Sequence, residues 1–168
     1  MERYFLRLIE RIKRSPTVES FRFLPQKKIE FRPGQFLKVI FSQERSKELN
    51  KYLSFSSSPT KDYIEFTKRL SNSEFSLKLK KLKRNDEVLI EAPLGNCIFR
   101  EDYKKIVFLI GGIGITPVIS IIEYIMEKNL ETEVYLFYSN QSEEEVAFKR
   151  ELDNWGFLNK RIDFLYYY

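Results

Sequence analysis

An antiparallel β barrel or sandwich followed by an α/β unit is the fold class that the sequence predicts, on three observations. From Tyr4 to Glu91 the apolar residues fall in short runs rich in Phe, Ile, Val and Tyr, punctuated by Ser15-Pro16, Arg32-Pro33-Gly34 and Ser57-Ser58-Pro59. Many short strands between turn signals are the pattern of an antiparallel all-β architecture. After Pro93-Leu94-Gly95-Asn96 the texture changes to a continuous apolar strand, Ile106 to Ile110, and a glycine-rich loop then opens an apolar helix.

The spacing predicts strands at 3–13, 17–24, 36–42, 52–56, 63–69 and 87–92, too close together for helices between them. One segment departs from this. Ser73 can cap a helix running to about Lys83, because Phe75, Leu79 and Leu82 recur at helical spacing while lysines occupy the other faces. Beyond it, a strand at 106–110, a helix at 117–128 and a strand at 133–138 form a βαβ unit, followed by a helix at 142–155 and a strand at 161–167. The domain boundary is expected near residue 100, dividing the chain into 1–100 and 101–168.

Composition narrows the chemistry. The 168 residues can bury a real core, and an aromatic content of 15% is too rich for a disordered chain. The net charge of +5 comes from 29 basic against 24 acidic residues and is dispersed, which is weak support for nucleic-acid binding. The densest basic run, Lys78, Lys80, Lys81, Lys83 and Arg84, reads as a solvated helix face, with a docking patch for an acidic partner as the other reading. A single cysteine, Cys97, excludes an intramolecular disulfide and an iron–sulfur cluster held by four thiolates of this chain. With no histidine, Ser-His triads and most zinc sites are absent by inventory. Charges interrupt the apolar residues of Met1 to Arg14, so neither a signal peptide nor a membrane span is predicted, and a cytoplasmic location is expected.

Gly111-Gly112-Ile113-Gly114-Ile115-Thr116-Pro117 lies where a phosphate loop belongs, between a buried strand and a helix. Glycines let a bulky anion approach the main chain, Thr116 can cap the helix, and Pro117 gives up an amide that would be unpaired anyway. The exposed amides and the helix dipole then face the anion. The usual dinucleotide fingerprint needs a third glycine where Pro117 stands, so this is a different phosphate loop. No carboxylate ends the second strand; Ser139 and Asn140 could meet either a plain ribose or its phosphate, leaving NADH and NADPH unseparated. The same stretch also reads as a plain helix start, with Ser142 as cap and Glu145 completing a capping box. A second polar cluster, Lys51 to Pro59, reads either as a turn capping its own backbone or as donors for a polar cofactor with Lys51 as counter-charge. The Ser73 helix offers a further anion-ready N-terminus, with Ser76 in its first turn.

Taken in order, Arg32-Pro33-Gly34-Gln35-Phe36, the 51–59 segment, Ser73-Glu74-Phe75-Ser76, Pro93-Leu94-Gly95-Asn96, the Gly111–Pro117 loop and Phe137-Tyr138-Ser139-Asn140 resemble the ferredoxin–NADP reductase superfamily of flavin reductases. The resemblance implies an antiparallel Greek-key barrel binding FAD (rather than FMN), followed by a partial doubly wound parallel sheet for the nicotinamide nucleotide. It puts Lys51 on the flavin phosphate, Ser54 near flavin N5 as the catalytic hydroxyl, and Leu53 where a tyrosine commonly stacks on the ring. Phe55, Ser56, Phe66, Thr67 and Phe75 join this site, Ser76 meets the pyrophosphate, and Ser73 stands where the family often has glycine. Gly111, Gly112, Gly114, Thr116 and Pro117 form the loop for NAD(P)H, with Ser139 and Asn140 beside it.

Right-handed crossovers lay the strands at 133–138 and 161–167 on one side of Ile106–Ile110, so the other half of a doubly wound sheet is expected to be missing. The implied activity passes a hydride from NAD(P)H to FAD and electrons on to an acceptor such as an iron–sulfur protein. The rival is a flavin-binding protein that is catalytically incomplete. An open strand edge also leads us to expect either pairing with a second copy or a loosely held C-terminal domain with low nicotinamide turnover.

Overall fold

The computed structural model describes residues 2–42 and 49–168. In β1 (Glu2–Lys13) Tyr4, Leu6 and Leu8 are buried while Arg3, Phe5 and Arg7 are exposed, the period of two that a strand shows when one face lines a core. With β2 (Val18–Pro25), β3 (Phe36–Ser42), β4 (Leu49–Ser54), β5 (Ile64–Arg69) and β6 (Glu87–Leu94) it forms a six-stranded sheet in the order β4-β3-β6-β1-β2-β5. Every neighbouring pair is antiparallel. A single bridge from Phe55 to Phe66 draws the end of β4 to β5, so the sheet is a nearly closed barrel and not a sandwich. Phe21, Phe23, Phe55 and Phe66 fill it, and α1 (Glu74–Lys81), capped by Ser73 as expected, adds Phe75 and Leu79.

β4 ends two residues before the predicted strand, at Ser54. There the Phe55 amide donates to Gln35 O and the Ser56 amide to Glu65 O, and the chain crosses from β3 to β5. The Arg32–Phe36 and Pro93–Asn96 segments clasp each other: Gln35 Nε2 donates to Gly95 O at 3.0 Å and the Phe99 amide to Pro33 O. Gly34 sits in this clasp at φ +97°, where a Cβ would lie 2.4 Å from Cys97 O, so only glycine fits.

The second sheet is parallel, in the order β7 (Lys105–Gly111), β8 (Glu133–Ser139), β9 (Ile162–Tyr167). The two later strands lie on one side of β7, as expected. α2 (Thr116–Glu127) and α3 (Lys149–Leu158) cover one face, burying Val134, Leu136, Tyr138 and Ile162 with Ile119, Ile122 and Leu152. On the other face Leu109 is 77% exposed and Val107 55%, and β7 is an edge strand, although parallel strands are normally covered on both faces. Among the described residues no helix is long and apolar enough to cross a membrane.

The helix expected at 142–155 is broken into a 3₁₀ turn (Glu143–Glu145) and α3. Between them Val146, Ala147 and Phe148 dive into the second core, with Phe148 left-handed at φ 62° and its ring 4.3 Å under the Arg14 guanidinium. A left-handed residue cannot sit inside a right-handed helix, so the helix restarts after Phe148. The predicted capping box is also absent: Ser142 makes no side-chain cap, and the Glu145 carboxylate turns instead to the barrel.

That turn belongs to a polar seam between the two halves. Arg14 and Glu65, both buried, pair at 3.1 Å; Arg14 also binds Glu151 of α3, and Glu65 is shared with Arg22 at 2.7 Å. Arg14→Ala would leave part of a buried carboxylate charge uncompensated, a change of roughly 3 kcal/mol by the scale of broken buried pairs. Urea unfolding followed by the fluorescence of Trp155, on α3, should show that loss; an unchanged midpoint would mean that the seam adds nothing.

Candidate functional site

The phosphate loop departs from expectation in one respect. A 3₁₀ turn (Gly112–Ile115) runs directly into α2, so Thr116 is helical, 6% exposed, and donates its hydroxyl to Ile113 O at 3.2 Å instead of capping. The leading amides of the 3₁₀ turn, not those after Thr116, are therefore the ones without intrahelical acceptors. Gly112 has φ +49°, a conformation that favours glycine. Buried Tyr138 donates its hydroxyl to Gly112 O at 3.0 Å, and because C=O and N–H of a trans peptide point opposite ways, the Ile113 amide is turned outward. Burial holds the Tyr138 phenol protonated, its pKa pushed up to about 12, so it stays a donor at all ordinary pH. Gly111 and Gly114 line the exposed side, where a Cβ on Gly111 meets nothing within 4 Å and one on Gly114 only Ile110 at 3.6 Å. The fold itself would accept a side chain at 114; an anion resting on the loop would not.

Ser139 ends β8, paired with Gly111, and Asn140 follows it. Asn140 is held by its backbone to Tyr167 O at 2.8 Å, yet its side-chain nitrogen and oxygen are buried without a well-formed hydrogen bond among the described residues, with the Tyr138 hydroxyl near enough to interact only weakly. An orphaned amide costs free energy unless something meets it. Beside this loop, it fits a polar ligand such as a ribose or a phosphate.

On the barrel, the sequence-derived residues separate into two groups. Phe55, Phe66 and Phe75 are core side chains, and Ser56 and Thr67 are buried and bonded to each other at 2.8 Å, with Glu65 and Ser20 as further partners. Their side chains build the wall and do not line the crevice. Ser57 and Ser58 likewise serve the backbone and the seam: Ser57 Oγ accepts from the Glu65 amide, Ser120 Oγ donates to Ser57 O, and the Ser58 amide donates to Glu123. Of the two readings of the serine cluster, the turn capping its own backbone holds for Ser58, whose Oγ accepts from the Thr60 amide at 3.2 Å, while Ser56 and Ser57 spend their hydroxyls on β5.

Lys51, Leu53 and Ser54 remain accessible on β4. Leu53 and Ser54 line an open cavity of about 660 Å³ with Phe36, Tyr52, Leu94 and Gly95, and Ser54 Oγ has no protein partner among the described residues. Lys51 is near enough to Lys68 on β5 that its charge, after burial, helps hold the Lys68 ammonium below its ordinary pKa. Neither lysine pairs with a carboxylate among the described residues. α1 packs against β4, and at its N-terminus Ser71 Oγ donates to Ser73 Oγ, which donates to Ser76 Oγ at 3.1 Å. Ser76 is fully buried beneath the other two, so Ser71 and Ser73, not Ser76, present hydroxyls outward.

Two uncompensated cations beside a helix N-terminus fit a diphosphate. Lys68 and Ser71 carry no motif, which is why sequence reasoning passed over them; the signal available was a basic residue at a strand end just before a serine-rich turn. A larger cleft of about 740 Å³ opens at the far end of α2, beside Tyr124 and Lys128, and shares Gly95 with the Leu53–Ser54 cavity.

Comparison with known proteins bears on the same residues. Residues 5–99 match the oxidoreductase FAD-binding domain family and residues 108–168 the oxidoreductase NAD-binding domain family. The glycine betaine monooxygenase reductase subunit of Pseudomonas aeruginosa is 31% identical over 96% of this chain, which spans 44% of that protein. The NAD(P)H-flavin reductase of Aliivibrio fischeri is 27% identical over 87% of the chain, which spans 65% of it. The chain thus spans about half of the length of these relatives. Among solved structures, the flavohem-like FAD/NAD-binding domain of a Vibrio cholerae nitric oxide dioxygenase superposes over 98% of this chain and 73% of that one, with a TM-score of 0.87 at 21% identity. A Neisseria gonorrhoeae ferredoxin NADP+ reductase with bound FAD and NADP gives 0.84 over 99% and 68%, at 21% identity.

The depressed Lys68 pKa has a measurable consequence. A bound diphosphate favours the ammonium form, so FAD affinity should fall as pH rises through the Lys68 pKa, below the range where an ordinary lysine titrates. Fluorescence titration of FAD from pH 7 to 10 should show this decline in the parent and its absence in Lys68→Gln; parallel profiles would remove Lys68 from the site.

Proposed function

The chain belongs to the oxidoreductase family that joins an FAD-binding domain to an NAD-binding domain, and we propose that it works as a flavoprotein reductase with NAD(P)H as electron donor. When bound, the flavin supplies the redox chemistry, taking a hydride from the nicotinamide and passing electrons to an acceptor. Residues 1–100 are the flavin half and 101–168 the nucleotide half. Lys51 and Lys68 neutralise the FAD diphosphate, with the Ser71 and Ser73 hydroxyls beside it, which turn from their bonds to Ser73 and Ser76 to donate to a phosphate oxygen. Leu53 offers an aliphatic surface to the ring, and Ser54, whose hydroxyl is unspent, is positioned to hydrogen-bond the flavin edge. The leading amides from Gly112 onward receive the nicotinamide-nucleotide pyrophosphate, with Ser139 and Asn140 toward its ribose. The missing histidines are no obstacle, since no protein base is required.

The observation that carries this reading is the pair Lys51 and Lys68, held close without an acid to compensate them. The acceptor fits an iron–sulfur protein with an acidic face, opposite the exposed Lys78, Lys80 and Lys81 of α1. A second reading, flavin binding with little turnover, is favoured by the exposed Val107 and Leu109 on β7, where the doubly wound layout places the other half of a ligand crevice. On that same edge a second copy is the proposed cover, giving a symmetric dimer.

The purified protein is expected to carry or take up FAD at micromolar concentration and to show flavin absorption bands. Lys51→Ala should weaken that binding by roughly 1–3 kcal/mol, the scale of a charged hydrogen bond. Absence of any flavin binding by the parent would remove the reading. Light-scattering mass distinguishes the dimer from a monomer.

A further inference from the structure

Arg69 belongs to the barrel, yet its side chain lies over the phosphate loop of the other half. The position where a side chain on residue 112 would begin is 3.5 Å from Arg69 Nη2. The other terminal nitrogen is held: Arg69 Nη1 donates to Glu145 Oε2 at 2.8 Å and to Thr17 Oγ1 at 2.9 Å, and Thr17 Oγ1 donates to the same carboxylate oxygen at 2.7 Å. Glu145 comes from the 3₁₀ turn after β8 and Thr17 from the loop before β2, so three separate segments orient one guanidinium. Apart from the glycine's own chain neighbours and the backbone of its own turn, no other heavy atom among the described residues lies within 4 Å of that position on residue 112.

From this we propose that Arg69 is a binding residue for the nicotinamide nucleotide, closing over its pyrophosphate from the barrel side while the loop amides meet it from below. The inference rests on the reading of Gly111–Pro117 as a nucleotide site and extends it across the domain seam. Three physical points support it. A guanidinium keeps its charge at any working pH and offers a planar fork matched to phosphate oxygens. Nη2 is turned toward the loop while Nη1 is occupied, so one donor is positioned in advance and little side-chain entropy remains to be lost. Finally, Glu145 acts as a positioning residue: it fixes the Arg69 plane without covering the face toward Gly112. Pairing between the halves at this point also makes nucleotide affinity sensitive to how the domains are registered.

The test uses ADP-ribose, which has the pyrophosphate but no reactive nicotinamide, titrated calorimetrically into FAD-loaded protein. Arg69→Ala is expected to weaken ADP-ribose binding by about tenfold to a hundredfold, the scale of a charge-assisted hydrogen bond, and to leave FAD affinity unchanged. Adenosine, lacking phosphate, should bind parent and variant alike. Glu145→Gln separates contact from scaffolding, because it reduces the strut from an ion pair to a neutral hydrogen bond while keeping the guanidinium. This variant should lose less affinity for ADP-ribose than Arg69→Ala does, because the contacting guanidinium is kept and only its positioning is weakened. If Glu145→Gln loses as much affinity as Arg69→Ala, or if Arg69→Ala loses none, the inference is overturned. A parent protein that binds FAD but no ADP-ribose overturns the nucleotide-site reading along with it.

Discussion

Buried Arg14 reaches in one direction to Glu65 on the barrel wall and in the other to Glu151 and the ring of Phe148. The two hydrophobic cores hardly share a side chain: among the described residues, Val18 is the one barrel-strand residue that packs into the second core. Apolar burial stabilises each half but says little about their relative position, because it is non-directional. Register between them therefore falls to the polar seam, where Arg14, Arg69 and Lys61 meet Glu151, Glu145 and Glu123. Burial raises the Glu123 pKa, opposed by the Ser58 amide and by Lys61, as expected for a carboxylate enclosed between two packed elements. An enzyme that holds two cofactors face to face needs such a directional joint, since misplacing reacting groups by about 1 Å can cost on the order of a hundredfold in rate.

Much of this architecture was legible in the sequence because it follows from periodicity. Alternation in β1, the unbroken apolar run Ile106–Ile110 and the helical spacing of Phe75 and Leu79 each fix an element type from local pattern alone. What escaped depends on contacts distant in the chain. Nothing local in Ser142–Glu145 shows that Glu145 prefers Thr17 and Arg69 to a capping role, and nothing in Val146–Phe148 shows that the chain must turn inward. The serines at 56–58 look equally polar as ligand donors or as seam residues, and only the position of α2 and β5 decides. Lys68 and Arg69, adjacent on one strand, point to different tasks because successive side chains leave opposite faces.

The uncovered face of the parallel sheet is the least economical feature of the structure. Val107 and Leu109, with Leu165 and Tyr167 across the sheet, present apolar surface that parallel sheets normally bury. The strand order, with β7 at an edge, places this face next to the phosphate loop. Whatever covers it will also shape the space in which a nicotinamide approaches the flavin. The cofactor-holding groups and the exposed face are thus parts of one problem, and the polar seam sets the geometry of the first while leaving the second open.

The central claim is that this chain brings a flavin and a nicotinamide nucleotide together across the seam. Anaerobic mixing of FAD-loaded protein with NADH or NADPH, followed by loss of the visible flavin band, tests it most directly. The account predicts bleaching faster than for free FAD at the same concentration, and loss of that acceleration in Gly114→Val, whose fold and flavin content should be unchanged. Bleaching no faster than that of free FAD, in a protein that demonstrably holds both cofactors, would contradict it.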